Sequence, residues 1–285
     1  MDIESIRIIK KLAKNIKSHS GRAVFVGGIV RDELLNRQSK DIDIEVFGLD
    51  SYQQLKEIAQ EFGVVNEVGR AFSVLKLKIN TSIEIDLSFP RTESKTGPGH
   101  KGFKIVSDQQ LSFKQAANRR DFTINAISKD ILTSEIIDPF NGVEDLKNKR
   151  LVHVSSQFSE DPLRVFRAAQ FMARFNLEVS SKTKLLCQQM PINELPKERV
   201  FEEIKKLLLK ANKPSIGLEF LKDIDAISYF EPLKTLVGTP QDPIWHAEGD
   251  VWVHTMMVLD EMAKLKTSDD KQDIIFMLAA LCHDL

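Results

Sequence analysis

Residues 40–48 read KDIDIEVFG and place Asp41 and Asp43 one residue apart in an apolar, strand-like run. Side chains alternate between the two faces of a β-strand, so we expect the two carboxylates to point the same way. Carboxylates held this close repel each other unless a cation neutralises them, and oxygen atoms are the ligands that Mg²⁺ prefers. The stretch therefore predicts a strand that carries a magnesium site on one face.

The preceding segment, residues 25–35, reads FVGGIVRDELL and predicts a strand, a glycine turn and a helix. Glycines let the backbone come close to a phosphate, and the start of a helix offers unpaired N–H groups and the positive end of its dipole. Gly28 lies in this turn, and Arg31 follows one turn into the helix, where it could reach a triphosphate. With the two aspartates, these residues predict a site for a metal-bound nucleoside triphosphate. The alternative is a plain glycine turn beside solvent-exposed aspartates.

The spacing of apolar residues divides the chain into a mixed part and a helical part. Strand and helix patterns occur together up to about residue 150, and the segments after it have the period of a helix. The sequence predicts an α+β fold, in which a mixed β-sheet with flanking helices is followed by all-α domains. We expect domains over residues 1–150, 151–220 and 221–285, with the last one truncated, and a mobile loop over residues 90–103.

Composition excludes some classes of protein. The 285 residues include 40 Lys and Arg against 41 Asp and Glu, and this balance excludes a uniformly basic nucleic-acid binder but not a local basic patch. Two distant cysteines and the lack of a long apolar run favour a cytoplasmic protein that does not enter a membrane. A basic patch suited to RNA phosphates is predicted from residues 147–150 and from one helix that carries Lys197, Arg199, Lys205, Lys206 and Lys210.

Several motifs occur in an order that resembles a known family. After FVGGIVRDELL and DIDIEVFG come NRRDFTINAIS (118–128), IIDPFNGVEDLKNKRLVHV (136–154), EDPLRVFRAAQFMARF (160–175) and PKERVFEEIKKLLL (196–209). In this order they are similar to the class II tRNA nucleotidyltransferase and bacterial poly(A) polymerase branch of the nucleotidyltransferase superfamily. The loop at residues 90–103 resembles the flexible segment of that family, and the likeness covers essentially the whole chain.

The resemblance assigns roles to individual residues. It implies that Asp41 and Asp43 are catalytic and bind the metal. It implies a nucleotide-binding set made of Gly28, Arg31, Arg120, Asp121, Asp161, Arg164 and Arg167. In this set Arg120, beside Arg119, holds phosphates, and Asp121 accepts a hydrogen bond from the ribose 2′-OH. The alternative for the two arginines is an ordinary surface pair.

Asp161 and Arg164 have a separate role in the family, which is to select the base. We expect them one turn apart in a helix that Ser159 caps, so that a carboxylate and a guanidinium lie on one face, with Arg164 and Arg167 spaced in the same way. Such a pair offers acceptors and donors to the Watson–Crick edge of CTP or ATP. The alternative is an ordinary ion pair within a helix.

The implied reaction is template-independent addition of C, C and A to the 3′ end of tRNA. The terminal 3′-OH attacks the α-phosphate of CTP or ATP and pyrophosphate leaves, with Mg²⁺ on Asp41 and Asp43 and with Asp86 as a candidate third carboxylate. The partners would be tRNA, through its 3′ end and acceptor arm, and the two nucleotides. A CC-only or A-only tRNA nucleotidyltransferase and a poly(A) polymerase share this site, although the complete loop at 90–103 favours full CCA addition.

A second resemblance covers the last residues. WHAEGDVWVHTMMVLDEM (245–262) and LAALCHDL (278–285) are similar to the opening of an HD-type phosphohydrolase domain. His254, His283 and Asp284 are typical metal-ligand types, although His246 and His254 could equally be packing or surface residues on helices. The alternative function is therefore a metal-dependent phosphohydrolase acting on RNA ends or nucleotides. A non-catalytic RNA-binding module is disfavoured, because it would have no use for the paired aspartates.

Overall fold

The computed structural model describes residues 3–39, 41–68, 74–80, 83–95, 103–267 and 269–285. The chain divides into two compact units, one formed by residues 1–147 and 153–158 and the other by residues 148–152 and 159–285. The first contains a mixed sheet with helices and the second is mainly helical, so the predicted α+β class is confirmed. Residues 148–158 pass between the two units, and the expected boundary at residue 150 stays a prediction. A further boundary at residue 220 stays a prediction.

The first unit has short strands that alternate with helices. Its helices are α1 (Ile3–Ser18), α2 (Gly28–Leu34), α3 (Tyr52–Gln60), α4 (Phe113–Ala117) and α5 (Gly142–Lys147), with a 3₁₀ turn at Thr123–Asn125. Its strands are β1 (Arg22–Val26), β2 (Ile42–Phe47), β3 (Val64–Val68), β4 (Val74–Lys78), β5 (Glu84–Ser88), β6 (Arg91–Lys95), β7 (Phe103–Ser107), β8 (Ser128–Asp130) and β9 (Ile136–Ile137).

Seven of these strands form one sheet in the order β3-β4-β5-β2-β1-β8-β9 within the described part of the chain. The β2–β5 pair is parallel, whereas β1–β2, β4–β5 and β1–β8 are antiparallel. The parallel pair joins two strands that lie about 40 residues apart in sequence, because the chain forms α3 and the β3–β4 hairpin before it returns as β5. This return brings β5 directly beside the aspartates of β2.

The two faces of the sheet differ in polarity. On β2, Ile44 and Val46 are buried in the same apolar cluster as Leu12 of α1 and Leu55 of α3, as is Leu87 of β5. Full burial of such a side chain contributes about 1.5–3 kcal/mol to folding. Because side chains alternate, the intervening positions of β2, β4 and β5 present charged groups to the opposite face. The apolar face thus fixes the register that brings the charged groups together.

The expected loop at residues 90–103 is partly replaced by regular structure. Strands β6 and β7 form an antiparallel hairpin, with Arg91 paired to Ser107 and Lys95 paired to Phe103. The prediction of a loop is therefore wrong for Arg91–Lys95 and for Phe103. The glycines that prompted it lie in residues 96–102, which are outside the described residues.

The second unit is built mainly from helices. Its helices are α6 (Arg164–Phe175), α7 (Ser181–Gln189), α8 (Lys197–Lys210), α9 (Ser215–Asp223), α10 (Glu231–Leu236), α11 (Val251–Lys264) and α12 (Asp270–Cys282), and its two short strands are β10 (Arg150–Leu151) and β11 (Glu178–Val179). Helix α6 contacts both α8 and α9, and α11 contacts α12. Among the described helices, none has the length and apolar character needed to cross a membrane.

Candidate active site

A row of charged groups crosses the sheet at β4, β5 and β2. Asp43 of β2 is paired in register with Asp86 of the parallel strand β5, so both side chains lie on the same face of the sheet. Asp41 immediately precedes β2 and is exposed, whereas Asp43 is partly buried. Lys76 of β4 is paired with Asp86 in the antiparallel register and forms an ion pair with it, Nζ to Oδ1, at 2.9 Å. The structure therefore brings Asp86 to the predicted pair of aspartates.

The electrostatics of Asp43 reflect this crowding. Burial and the charge of Asp86 raise the pKa of the Asp43 carboxyl group, and the charges of Asp41 and Glu45 add to the effect, while nearby Arg120 opposes it. Neighbouring carboxylates that repel one another are suited to a divalent cation, which would remove the repulsion and accept their oxygens as ligands. Asp41, Asp43 and Asp86 thus fit a divalent metal.

The glycine turn lies beside an arginine. Gly27 has φ of +71°, and a Cβ atom at this position would lie 2.9 Å from Nη1 of Arg120. Any other residue would therefore be strained in its backbone and would displace the guanidinium. Gly28, the predicted nucleotide-binding glycine, is the first residue of α2. The absence of side chains here lets Arg120 lie against the turn.

Arg31 is buried, with 5% of its surface exposed. Its guanidinium donates to Oδ1 of Asp32 from Nε and Nη2, at 2.8 and 2.6 Å, and from Nη1 to Oδ1 of Asn125 at 2.6 Å. Arg31 therefore supports the turn from inside the protein. Its direct contact with a triphosphate stays a prediction.

Asp121 belongs to the same buried network. Its Oδ1 accepts hydrogen bonds from the backbone N–H of Phe122 at 2.8 Å and from Nδ2 of Asn125 at 2.9 Å. Asn125 thus links Asp121 to Arg31 and holds the start of α2 close to the segment that carries Arg120. The role of Asp121 towards a ribose hydroxyl stays a prediction.

Glu45 was missed by the reasoning from sequence. It follows Asp43 by two residues on β2 and is 3% exposed. Its Oε1 accepts hydrogen bonds from Nη2 of Arg119 at 2.9 Å and from Nη2 of Arg120 at 3.2 Å. The signal was present in the sequence, because Asp41, Asp43 and Glu45 form a series of acidic residues at alternate positions of one strand.

In the second unit, α6 begins later than predicted. The helix starts at Arg164, with Leu163 as its N-terminal cap residue. Asp161 therefore precedes the helix, and the expectation of a Ser159 cap with Asp161 and Arg164 on one helical face is wrong. The physical reason is that residues Ser156–Glu160 form a separate 3₁₀ turn and that Pro162 has no N–H to continue it.

Helix α8 forms ion pairs with two residues of the predicted nucleotide-binding set, Asp161 and Arg167. Arg199 donates from Nη2 to Oδ2 of Asp161 at 3.1 Å, while Oδ1 of Asp161 accepts from the backbone N–H of Leu163 at 3.2 Å. Glu203 is 4% exposed and lies 3.6 Å from Nη1 of Arg167. Ion pairs with α8 thus position Asp161 and Arg167. Arg199 is the α8 partner of Asp161, so it is not simply part of an exposed basic surface.

A second cluster of titratable groups surrounds the start of α11 and the end of α12. Possible ligand atoms of His254, His283 and Asp284 all lie within 4.8 Å of one another, and those of His246, Glu248 and His254 do so as well. His246 lies in a turn before α11, so its expected position on a helix is wrong.

The hydrogen bonds of this second cluster fix two imidazole rings. Nδ1 of His254 donates to Oε1 of Glu248 at 2.6 Å, and Nδ1 of His283 donates to the Ala280 carbonyl at 2.8 Å. Backbone and imidazole hydrogen bonds lower the pKa of Glu248 to about 2. Metal-binding histidines characteristically donate one ring nitrogen to a carboxylate or carbonyl so that the other can bind the metal. His254 and His283 match this arrangement through Nε2.

The chain resembles known proteins in sequence. Residues 23–152 match the model of the poly A polymerase head domain. A multifunctional CCA protein of Xylella fastidiosa (strain M12) is 38% identical over 272 residues, which are 93% of this chain and 62% of the relative. The chain therefore spans about three fifths of the length of this relative.

Solved structures agree on the fold. A CCA-adding enzyme in complex with CTP superposes with a TM-score of 0.73 at 23% identity, covering 100% of this chain and 63% of the other. A tRNA-processing enzyme with CTP gives a TM-score of 0.70 at 26% identity, covering 96% of this chain and 70% of the other. The head-domain model covers residues 23–152, the part of the chain that holds the glycine turn and the carboxylates of β2 and β5.

Proposed function

We propose that this protein is a tRNA nucleotidyltransferase that adds C, C and A to the 3′ end of tRNA from CTP and ATP and releases pyrophosphate. The observation that carries the proposal is the face of the sheet on which Asp41, Asp43 and Asp86 lie beside Arg120 and the Gly27 turn. The 38% identity to a multifunctional CCA protein and the likeness to a tRNA-processing enzyme with CTP support it.

The metal in this proposal is Mg²⁺, held by Asp41 and Asp43 with Asp86 as a third ligand. Bound there, it would supply positive charge to the attacking and leaving oxygens of an in-line displacement. Arg120 binds the phosphates from the side of the glycine turn, where its guanidinium already lies. Asp121 accepts a hydrogen bond from the ribose. Each of these residues acts on a different part of the nucleotide.

Selection of the base is assigned to Asp161 and Arg164, with Arg167. Cytosine and adenine each present an amino donor next to a ring-nitrogen acceptor, which matches a carboxylate beside a guanidinium. Uracil and guanine present the opposite pattern and would leave buried polar groups unpaired, at about 1–3 kcal/mol each. The ion pair between Arg199 and Asp161 supports this role, because it fixes the orientation of the carboxylate.

The tRNA would be held through its 3′ end and acceptor arm by phosphate contacts. Lys197 and Lys210 are exposed on α8 and can bind a phosphate backbone without reading its sequence. We propose a cytoplasmic location, which the two cysteines support because neither is in a disulfide.

The proposal is tested with tRNA that lacks its 3′ CCA, Mg²⁺ and labelled nucleotides, supplied singly and together. We expect incorporation of CTP and then ATP that stops after three nucleotides. Incorporation of CTP alone or of ATP alone would indicate a CC-only or A-only enzyme, and long A tails would indicate a poly(A) polymerase. No incorporation from any nucleotide would refute the proposed function.

A second candidate function is favoured by the cluster of His254, His283 and Asp284. Their converging ligand atoms and the fixed Nδ1 atoms of both histidines support a transition-metal site, which in an HD-type phosphohydrolase would serve hydrolysis of RNA ends or nucleotides. The test is hydrolysis of 2′,3′-cyclic and 3′-phosphate RNA ends with added Mn²⁺, Co²⁺ or Ni²⁺. Activity that survives Asp41→Ala but not His283→Ala supports this function, and activity indifferent to His283→Ala contradicts it.

A further inference from the structure

Glu45 is a buried carboxylate that the proposed reaction leaves without a role. It lies on β2, two residues after Asp43, and only 3% of it is exposed. A carboxylate is costly to bury unless it is hydrogen-bonded and paired with positive charge. Here the two partners are Arg119 and Arg120, both of which donate from Nη2 to the same oxygen, Oε1.

Two roles are chemically open to this carboxylate. It could be a further metal ligand, because alternation places it on the same face as Asp43. However, its Oε1 is buried and already accepts from two guanidinium groups, whereas Asp86 lies directly opposite Asp43 and its ion pair with Lys76 is partly exposed to solvent. Asp86 is therefore the better third ligand, and Glu45 faces the arginines instead.

The surroundings of Arg120 indicate what Glu45 does. One side of its guanidinium meets Glu45, and Nη1 lies 2.9 Å from the position that a Cβ atom would take at Gly27. Charge-assisted hydrogen bonds of this kind fix a long, flexible side chain in one orientation. Since a single carboxylate faces two guanidinium groups, the three side chains together keep a net positive charge that suits a triphosphate.

We propose that Glu45 is a positioning residue that holds Arg119 and Arg120 in place for the triphosphate of the incoming nucleotide. This inference rests on the proposed function and deepens it. Glu45 acts through Arg119 and Arg120 and touches neither the nucleotide nor the metal. Its removal therefore weakens nucleotide binding much more than metal binding.

The test compares Glu45→Ala and Glu45→Gln with the wild type in steady-state kinetics and in equilibrium binding of CTP. Glu45→Ala is expected to raise KM for CTP about tenfold or more with little change in kcat, because binding to a mobile arginine is lost equally in the ground and transition states. Glu45→Gln keeps an accepting oxygen and should have a smaller effect. The half-saturating Mg²⁺ concentration should change much less than KM, because Glu45 reaches Asp43 only through its charge. Glu57→Ala, at an exposed glutamate of α3, is the matched control.

A coupling experiment separates positioning from a merely structural role. In an Arg119→Ala, Arg120→Ala background, Glu45→Ala should add nothing to the rise in KM, since residues that act through one another are not additive. Full additivity, an unchanged KM, or a rise in the Mg²⁺ requirement as large as the rise in KM would overturn the inference. Melting curves monitor folding, and if Glu45→Ala does not fold, the isosteric Glu45→Gln completes the same cycle. Failure of the wild type to incorporate nucleotides would refute the proposed function, whereas CTP binding would still test Glu45.

Discussion

The two candidate metal sites of this protein differ in ligand chemistry and in the way that the fold builds them. The site of the first unit consists of carboxylates on adjacent strands of one sheet, whereas the cluster of the second unit gathers imidazoles at helix ends and in a turn. Oxygen-only sites suit Mg²⁺ and Mn²⁺, and imidazole-rich sites suit later transition metals. The difference in donor atoms predicts that the two candidate sites prefer different metals.

The largest expected effect tests whether the two candidate metal sites can be separated by mutation. Asp43→Asn should lower nucleotide incorporation by more than about a hundredfold, since the loss of an outer-shell partner alone can cost that much. His254→Ala should leave incorporation unchanged. The measurement is single-turnover incorporation of labelled CTP into tRNA lacking CCA. Equal losses in both variants would show that the two clusters are not independent.

A smaller effect is expected at the second cluster when Glu248 is altered. Glu248→Gln should weaken Co²⁺ or Ni²⁺ binding by about 10–100-fold, because the carboxylate that fixes Nδ1 of His254 becomes a neutral amide. Titration followed by the visible absorption of Co²⁺ measures it. His254→Ala should remove binding, and Asp43→Asn, the matched control from the other site, should leave it unaltered. Unchanged affinity in Glu248→Gln would mean that this hydrogen bond does not orient the ligand.

The smallest expected effect concerns the stability of the metal-free protein. Burial and Asp86 raise the pKa of Asp43 above its ordinary value of 3.8, so the folded state disfavours the ionised form. The native protein therefore binds a proton more readily than the unfolded chain between these two pKa values, and the contribution of Asp43 to stability decreases as pH rises through that window. Without metal, Asp43→Asn should melt at a higher temperature than the wild type at neutral pH.

Melting at lower pH and melting with Mg²⁺ test further the prediction for Asp43→Asn. The advantage of Asp43→Asn should shrink as pH falls through the raised pKa towards 3.8, because Asp43 then becomes neutral in the wild type too. Saturating Mg²⁺ should stabilise the wild type more than the variant. A variant that melts below the wild type at neutral pH without metal would contradict the account of crowded carboxylates.

The sequence could predict those parts of the site that depend on local spacing. Asp41 and Asp43 on one face follow from strand alternation, and the Gly27-Gly28 turn before α2 follows from residue type. The position of Asp86 could not be obtained in this way, because it depends on the parallel pairing of β2 with a strand about 40 residues further along. The resemblance to a known family rests on the order of the motifs, which does not specify how β2 pairs with β5.

The contacts between distant residues that position the side chains could not be predicted from the sequence either. Glu45 meets Arg119 and Arg120 across more than 70 residues, and Asp161 meets Arg199 on another helix. Helical spacing suggested Arg164 as the partner of Asp161, but the separate 3₁₀ turn places Asp161 before α6. Local periodicity does not reveal which of several arginines a carboxylate will meet after folding.

The central claim is that the paired aspartates of the first unit bind a divalent cation. Mn²⁺ replaces Mg²⁺ at oxygen sites, and its electron paramagnetic resonance signal distinguishes free from bound ion. With a non-hydrolysable CTP analogue present, the wild type is predicted to bind Mn²⁺, whereas the Asp41→Asn, Asp43→Asn double variant should lose that binding and keep its Co²⁺ site at His254. Undiminished Mn²⁺ binding in the double variant would contradict the account.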